Sequence, residues 1–170
     1  MTSGSFNISY AQFEDVFPFY FVVGREMRVL SSGRSLKKLS AGGDVDGSAF
    51  GDLFTVVRPR AELTFEALAQ RANMLFVLDW CGGVRLRGQF VYVEDQDRLL
   101  FLGSPWVSSG AQLAEVGLSF KDFALHDPTV DFLPVAQTQR NMLGDAQRLA
   151  QELEEQRNEA RRANQYLTVQ

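Results

Sequence analysis

From about residue 130 onward the chain is built for one long helix, and that constrains everything else. After Pro134 it holds a single Gly, Gly144, and no Pro, and it is rich in Gln, Glu, Arg, Ala and Leu. All of these are adequate to good helix formers. Two sets of positions repeat every seven residues: Gln139, Ala146, Leu153, Ala160 and Leu167, and Met142, Leu149, Gln156, Ala163 and Gln170. These are the a and d positions of a coiled coil. Glu152 then falls at g and Arg157 at the following e, the geometry of an interchain ion pair in a parallel dimer. Three of the ten seam positions are Gln and three are Ala, so the seam is weak. It reads either as a helix pair able to shift between two arrangements or as an amphipathic helix folded back on the rest of the chain. The dimer seam expected is Met142, Ala146, Leu149, Leu153, Ala160, Ala163 and Leu167.

Composition changes near Pro128, which divides the chain into a globular domain over 1–127 and a signalling helix over 128–170. The helical pattern is unfinished at Gln170. The natural protein is expected to continue, with an output domain beyond that point. In the globular part, Phe17–Val23 reads as a strand, Val29–Leu30 as the start of its hairpin partner, and Ser35–Leu39 as a short helix. The Gly- and Asp-rich stretch 41–51 reads as a flexible loop; it carries acidic residues and no lysine, which argues against a phosphate cradle. Thr64 caps a helix bearing Phe65 and Leu68. Three strands follow, Met74–Trp80, Arg85–Val93 and Arg98–Ser104. In the middle one Leu86, Gly88, Phe90 and Tyr92 alternate with Arg85, Arg87, Gln89, Val91 and Val93. This order predicts an α+β fold: a PAS-like antiparallel five-stranded sheet with helices on one face, then the long coiled-coil helix.

Composition narrows function. Net charge is −4, which offers no electrostatic case for nucleic acid. No apolar run approaches the ~20 residues of a membrane span, and no secretory signal is visible at the start. With Cys81 the single cysteine, no intrachain disulfide forms, and a reducing, cytoplasmic setting is expected. One Cys and one His cannot fill a tetrahedral metal site. A catalytic Cys81–His126 pair would need contact between residues from different segments. We therefore assign no catalytic residue, metal or cofactor. The 14 Phe, 4 Tyr and 2 Trp could line a ligand pocket in a PAS-like core or simply fill it.

Two groups of residues merit attention. His126, Asp127, Pro128, Thr129 and Asp131 lie at the junction of globular part and helix. Pro128 suits the first helical turn, and Asp127 or Thr129 can accept hydrogen bonds from its free N–H groups. A signal-transfer hinge is the reading for this group; haem ligation by His126 is the alternative. Arg58 and Arg60 flank Pro59 and either bind an anion or a partner's carboxylate, or form a solvated surface pair.

Several segments, taken together, resemble a known family. They are Phe17-Pro18-Phe19-Tyr20, Val57-Arg58-Pro59-Arg60, Leu63-Thr64-Phe65, Arg85-Leu86-Arg87-Gly88-Gln89, Leu100-Phe101-Leu102-Gly103-Ser104-Pro105 and Leu125-His126-Asp127-Pro128-Thr129-Val130-Asp131. They resemble the domain associated with haem–nitric oxide/oxygen-binding domains in soluble guanylate cyclases, over nearly all of residues 10–135. The resemblance implies a PAS-like fold, dimerisation, a following coiled coil, and relay of a haem gas sensor's state to an output domain. Two departures shape the expectation. The chain starts just ahead of the PAS-like body, and 163–167 lacks the Leu- and Pro-containing stretch expected near a cyclase domain. The fragment itself is then not an enzyme. It is expected to belong to a bacterial sensor histidine kinase, or to a guanylate cyclase, as a homodimer whose NO/O2 sensor is a separate protein. The alternative is a PAS-type sensor with its own small ligand in the core.

Overall fold

The computed structural model describes residues 8–40 and 43–167. Contacts divide the chain into two compact units, residues 1–131 and 132–170. The first unit is built on one antiparallel sheet. Its strands are β1 (Phe21–Val23), β2 (Val29–Ser32), β3 (Phe54–Arg58), β4 (Leu75–Trp80), β5 (Arg85–Val93) and β6 (Arg98–Pro105). Their order in space is β2-β1-β6-β5-β4-β3. Short helices α2 (Arg34–Leu39), α3 (Phe50–Leu53) and α4 (Phe65–Gln70) lie between strands, α1 (Tyr10–Val16) precedes β1, and α5 (Gly110–Glu115) follows β6. The last element, α6 (Pro128–Leu167), starts in the first unit and forms the described part of the second.

The alternation in β5 works as the pleat requires. Leu86 and Phe90 are fully buried, whereas Arg85, Arg87 and Gln89 are exposed. The buried face is a cluster of phenyl rings. Phe21 stacks on Phe54 at 4.4 Å and on Phe101 at 4.7 Å, and Phe90 meets Phe76 edge-on at 4.9 Å. Phe50 of α3 closes onto Phe21, Phe54 and Phe90, and Leu36 of α2 and Leu68 of α4 are buried as well. Among the described residues eight aromatic side chains are fully buried, so the aromatic supply fills the core. Gly88 and Gly103 face each other across β5 and β6. A methyl group on Gly103 would lie 2.5 Å from the Phe101 ring, so the glycine pair makes room for that ring.

Three expectations change. The sheet has six strands, not five, because β3 pairs along β4 from Phe54↔Trp80 to Arg58↔Val77. Its Phe, Thr and Val residues suit an edge strand, and Pro59, which lacks an N–H, ends it. The strand read at Phe17–Val23 is only Phe21–Val23. Phe17 belongs to the end of α1, donating its N–H to Phe13, and Pro18 has no N–H for a ladder. The loop after α2 is tied down from Val45 on: Val45 is buried, Ser32 donates to Asp46 at 2.6 Å, and Lys37 pairs with Asp46 at 2.7 Å. Thr64 caps α4 as expected, accepting from the Ala67 N–H.

Candidate functional site

The junction into α6 is held by a carboxylate with two partners. One oxygen of Asp127 accepts the Thr129 N–H at 2.9 Å, and the other accepts the hydroxyl of Ser104. The first bond is an N-cap, with Pro128 at the first helical position, where its missing N–H costs nothing. The second ties the start of α6 to the end of β6. Asp131 is the acidic residue of the first turn, where the helix dipole favours negative charge. His126 is exposed and sets its ring edge-on to Phe17, 6.3 Å between centroids. Between the two residues left open for the cap, the acceptor is Asp127, not Thr129.

The segment leading to this junction is clamped from the other side. Lys38 of α2 donates to both oxygens of Asp122 at 2.9 Å, and the Ser35 hydroxyl donates to the Asp122 carbonyl at 2.6 Å. Burial pushes the Asp122 carboxyl up, but Lys38 and the Ser119 N–H and hydroxyl outweigh it and hold it below the usual carboxylate range.

A cleft of about 620 Å³ opens beside the junction. Phe17, Leu75, Gln89, Leu102, Ser104 and His126 are among its walls, so it faces the side of the sheet opposite the phenyl cluster. Cys81 is exposed in the turn after β4 and is not part of this lining. Arg58 lines a neighbouring cleft with Arg85, Arg87 and Trp106; Arg60 is not among its walls.

In the second unit, Met142, Leu149 and Leu153 are 66%, 60% and 67% exposed. Ala146 and Ala160 are exposed too; the side chains of Ala163 and Leu167 lie outside the described residues. Glu152 approaches Arg148 of the same helix at 3.9 Å, and Arg148 also pairs with Asp145 at 3.3 Å. Helix α6 contains Pro134, which cannot donate to the carbonyl four residues back. Sequence reasoning missed Ser104, which is 23 residues from its partner, and Arg87, which reads only as the outward side of a strand.

An antiparallel α+β domain that hands its last strand to the capped start of a long helix sets the class. The chain belongs to the heme NO binding associated family, whose match covers residues 6–81 and 82–167. It is similar to soluble guanylate cyclase subunits: 28% identical to bovine alpha-1 over 144 residues, 31% to human alpha-2 over 140, and 26% to rat beta-2 over 174. These alignments cover 78%, 76% and 93% of this chain and 21%, 19% and 24% of the relatives. The chain thus spans about a fifth of their length. Among the described residues, no helix is long and apolar enough to cross a membrane.

Proposed function

We propose that this chain is a regulatory relay module of a dimeric signalling protein, coupling a haem-based NO/O2 sensor to a downstream output domain. The observation that carries the reading is the Ser104–Asp127–Thr129 tie, which joins the last strand of the family's domain to the first turn of α6. A change imposed on the sheet reaches the helix through that tie and the chain beside it. The relatives are named as soluble guanylate cyclase subunits, which favours a cyclase as output; a histidine kinase is the other form of the same reading. In this reading the chain supplies regulation rather than chemistry. Exposed Met142, Leu149 and Leu153 at heptad spacing support a parallel helix pair, here a homodimer, whose weak seam permits two arrangements. Arg58 and Arg60 remain the partner-facing residues of this reading, with His126, Asp127, Pro128, Thr129 and Asp131 as its hinge.

The test is output in the full-length protein with its sensor. Ser104→Ala and Asp127→Ala are expected to change the ratio of output with and without NO while the dimer persists. Unchanged regulation in both variants would reduce the tie to a structural contact. The alternative, a sensor with its own ligand, finds support only in the cleft beside His126, since stacked rings occupy the core.

A further inference from the structure

The sheet face turned away from the phenyl cluster carries a basic row. Arg58, Val77, Arg87 and Ser104 stand in register across β3, β4, β5 and β6. Neighbouring strands lie ~4.8 Å apart, so the Arg58 and Arg87 backbones are roughly 10 Å from each other with Val77 between them. A cleft of about 520 Å³ opens over this row, floored by Leu75 and Val77 and walled by Trp106. Charge there is unbalanced. Asp79, the carboxylate nearest in the sheet, is taken by Arg85 through two bonds of 2.6 and 3.2 Å. The Arg87 guanidinium lies over the Trp106 ring at 5.9 Å, and neither Arg58 nor Arg87 has an ion-pair partner among the described residues. In a chain of net charge −4, this is a locally cationic surface on an apolar floor.

We propose that this cleft docks an acidic segment of a partner protein. Arg58 and Arg87 take two of its carboxylates, presented on one face of an extended segment, and the backbone between them passes over Val77 and Trp106. Two cations held apart by a valine fit two charges on one chain better than one compact anion, which needs converging donors. A second copy of this chain fits poorly: a two-fold contact would set the arginine row against itself, and the carboxylate in the row's reach is already paired. The row ends at Ser104, whose hydroxyl holds Asp127, so an occupant seats one strand away from the start of α6. The inference deepens the relay reading, on which it rests only in calling the occupant a signalling partner.

Trp106 is 55% exposed and Trp80 is buried, so indole fluorescence reports the cleft. The probe is the blocked tripeptide Glu-Leu-Glu, titrated at low salt against the whole chain, with blocked Gln-Leu-Gln and sodium benzoate as controls. A saturable change with Glu-Leu-Glu alone is expected. Arg58→Gln and Arg87→Gln should each weaken it about tenfold or more, and Arg87→Lys should recover part of the loss. No saturable change, equal response to Gln-Leu-Gln, or indifference to both Gln variants overturns the proposal. Benzoate binding as tightly as the peptide would overturn it in favour of a small-anion site. Conversion of a dimer to a monomer by Arg58→Gln/Arg87→Gln in sedimentation would overturn it in favour of a contact between copies. The relay reading is judged by regulated output, so either can fail while the other stands.

Discussion

Removing the Asp127 carboxylate should unfasten the helix start in a measurable way. Asp127→Ala deletes an N-cap, which costs ~0.5–2 kcal/mol, typically ~1. It also strands the Ser104 hydroxyl, whose bond to a part-buried carboxylate contributes on the order of 1–2 kcal/mol. The two together come to about 2–3 kcal/mol. For a unit of this size, each kcal/mol moves the thermal midpoint by roughly 3–5 °C, so a drop of about 6–15 °C is expected. Asp127→Asn keeps an acceptor for the Thr129 N–H and should lose less than half as much. A double-mutant cycle with Ser104→Ala, read by chemical denaturation, should give a coupling of about 0.5–2 kcal/mol. A cost below ~0.3 kcal/mol for Asp127→Ala, or strict additivity with Ser104→Ala, would refute the claim that this carboxylate joins strand to helix.

Two further outcomes follow from the packing. The folded pKa of Asp122 is depressed, so the contribution of its pair with Lys38 is present above the ordinary carboxylate range and is lost as pH falls through that folded value. Asp122→Asn should therefore be less stable than the parent at pH 7, and the gap should close as pH falls below about 4 in urea melts at stepped pH. Gly103→Ala would press a methyl group 2.5 Å from the Phe101 ring and 2.6 Å from the Arg87 carbonyl oxygen, costing about 1–3 kcal/mol by the same melts.

Much of this structure is legible from local pattern, and what is not depends on long-range pairing. The period-2 run of β5 places Leu86 and Phe90 inside because burial on one face admits a single register. Thr64 and Pro128 announce helix starts through chemistry confined to one turn. Helix α1 carried the same signal unread: Ser9 and Gln12 form a reciprocal capping box, the spacing of which is visible in the sequence. Strand β3 is harder, since Phe54–Arg58 is short, ends at Pro59, and is a strand only because β4 offers it an edge. At the junction the cap is local and readable, but Ser104 becomes its partner only when β6 returns beside it. The Arg58–Arg87 row likewise exists only in the register of three strands.

The proposed relay requires that α6 pair in parallel with a second copy along the Leu149–Leu153 seam. That pairing is tested most directly by cysteine cross-linking in a Cys81→Ser background, with Leu153→Cys at a seam position and Gln151→Cys on the opposite side of the helix. In a parallel pair the two copies of residue 153 face each other, whereas the two copies of residue 151 point apart. Mild oxidation should give a disulfide-linked dimer quickly and nearly completely for Leu153→Cys, and slowly or not at all for Gln151→Cys. Equal cross-linking at both positions, or none at either with a monomer in sedimentation at high concentration, would contradict the paired helix and with it the relay.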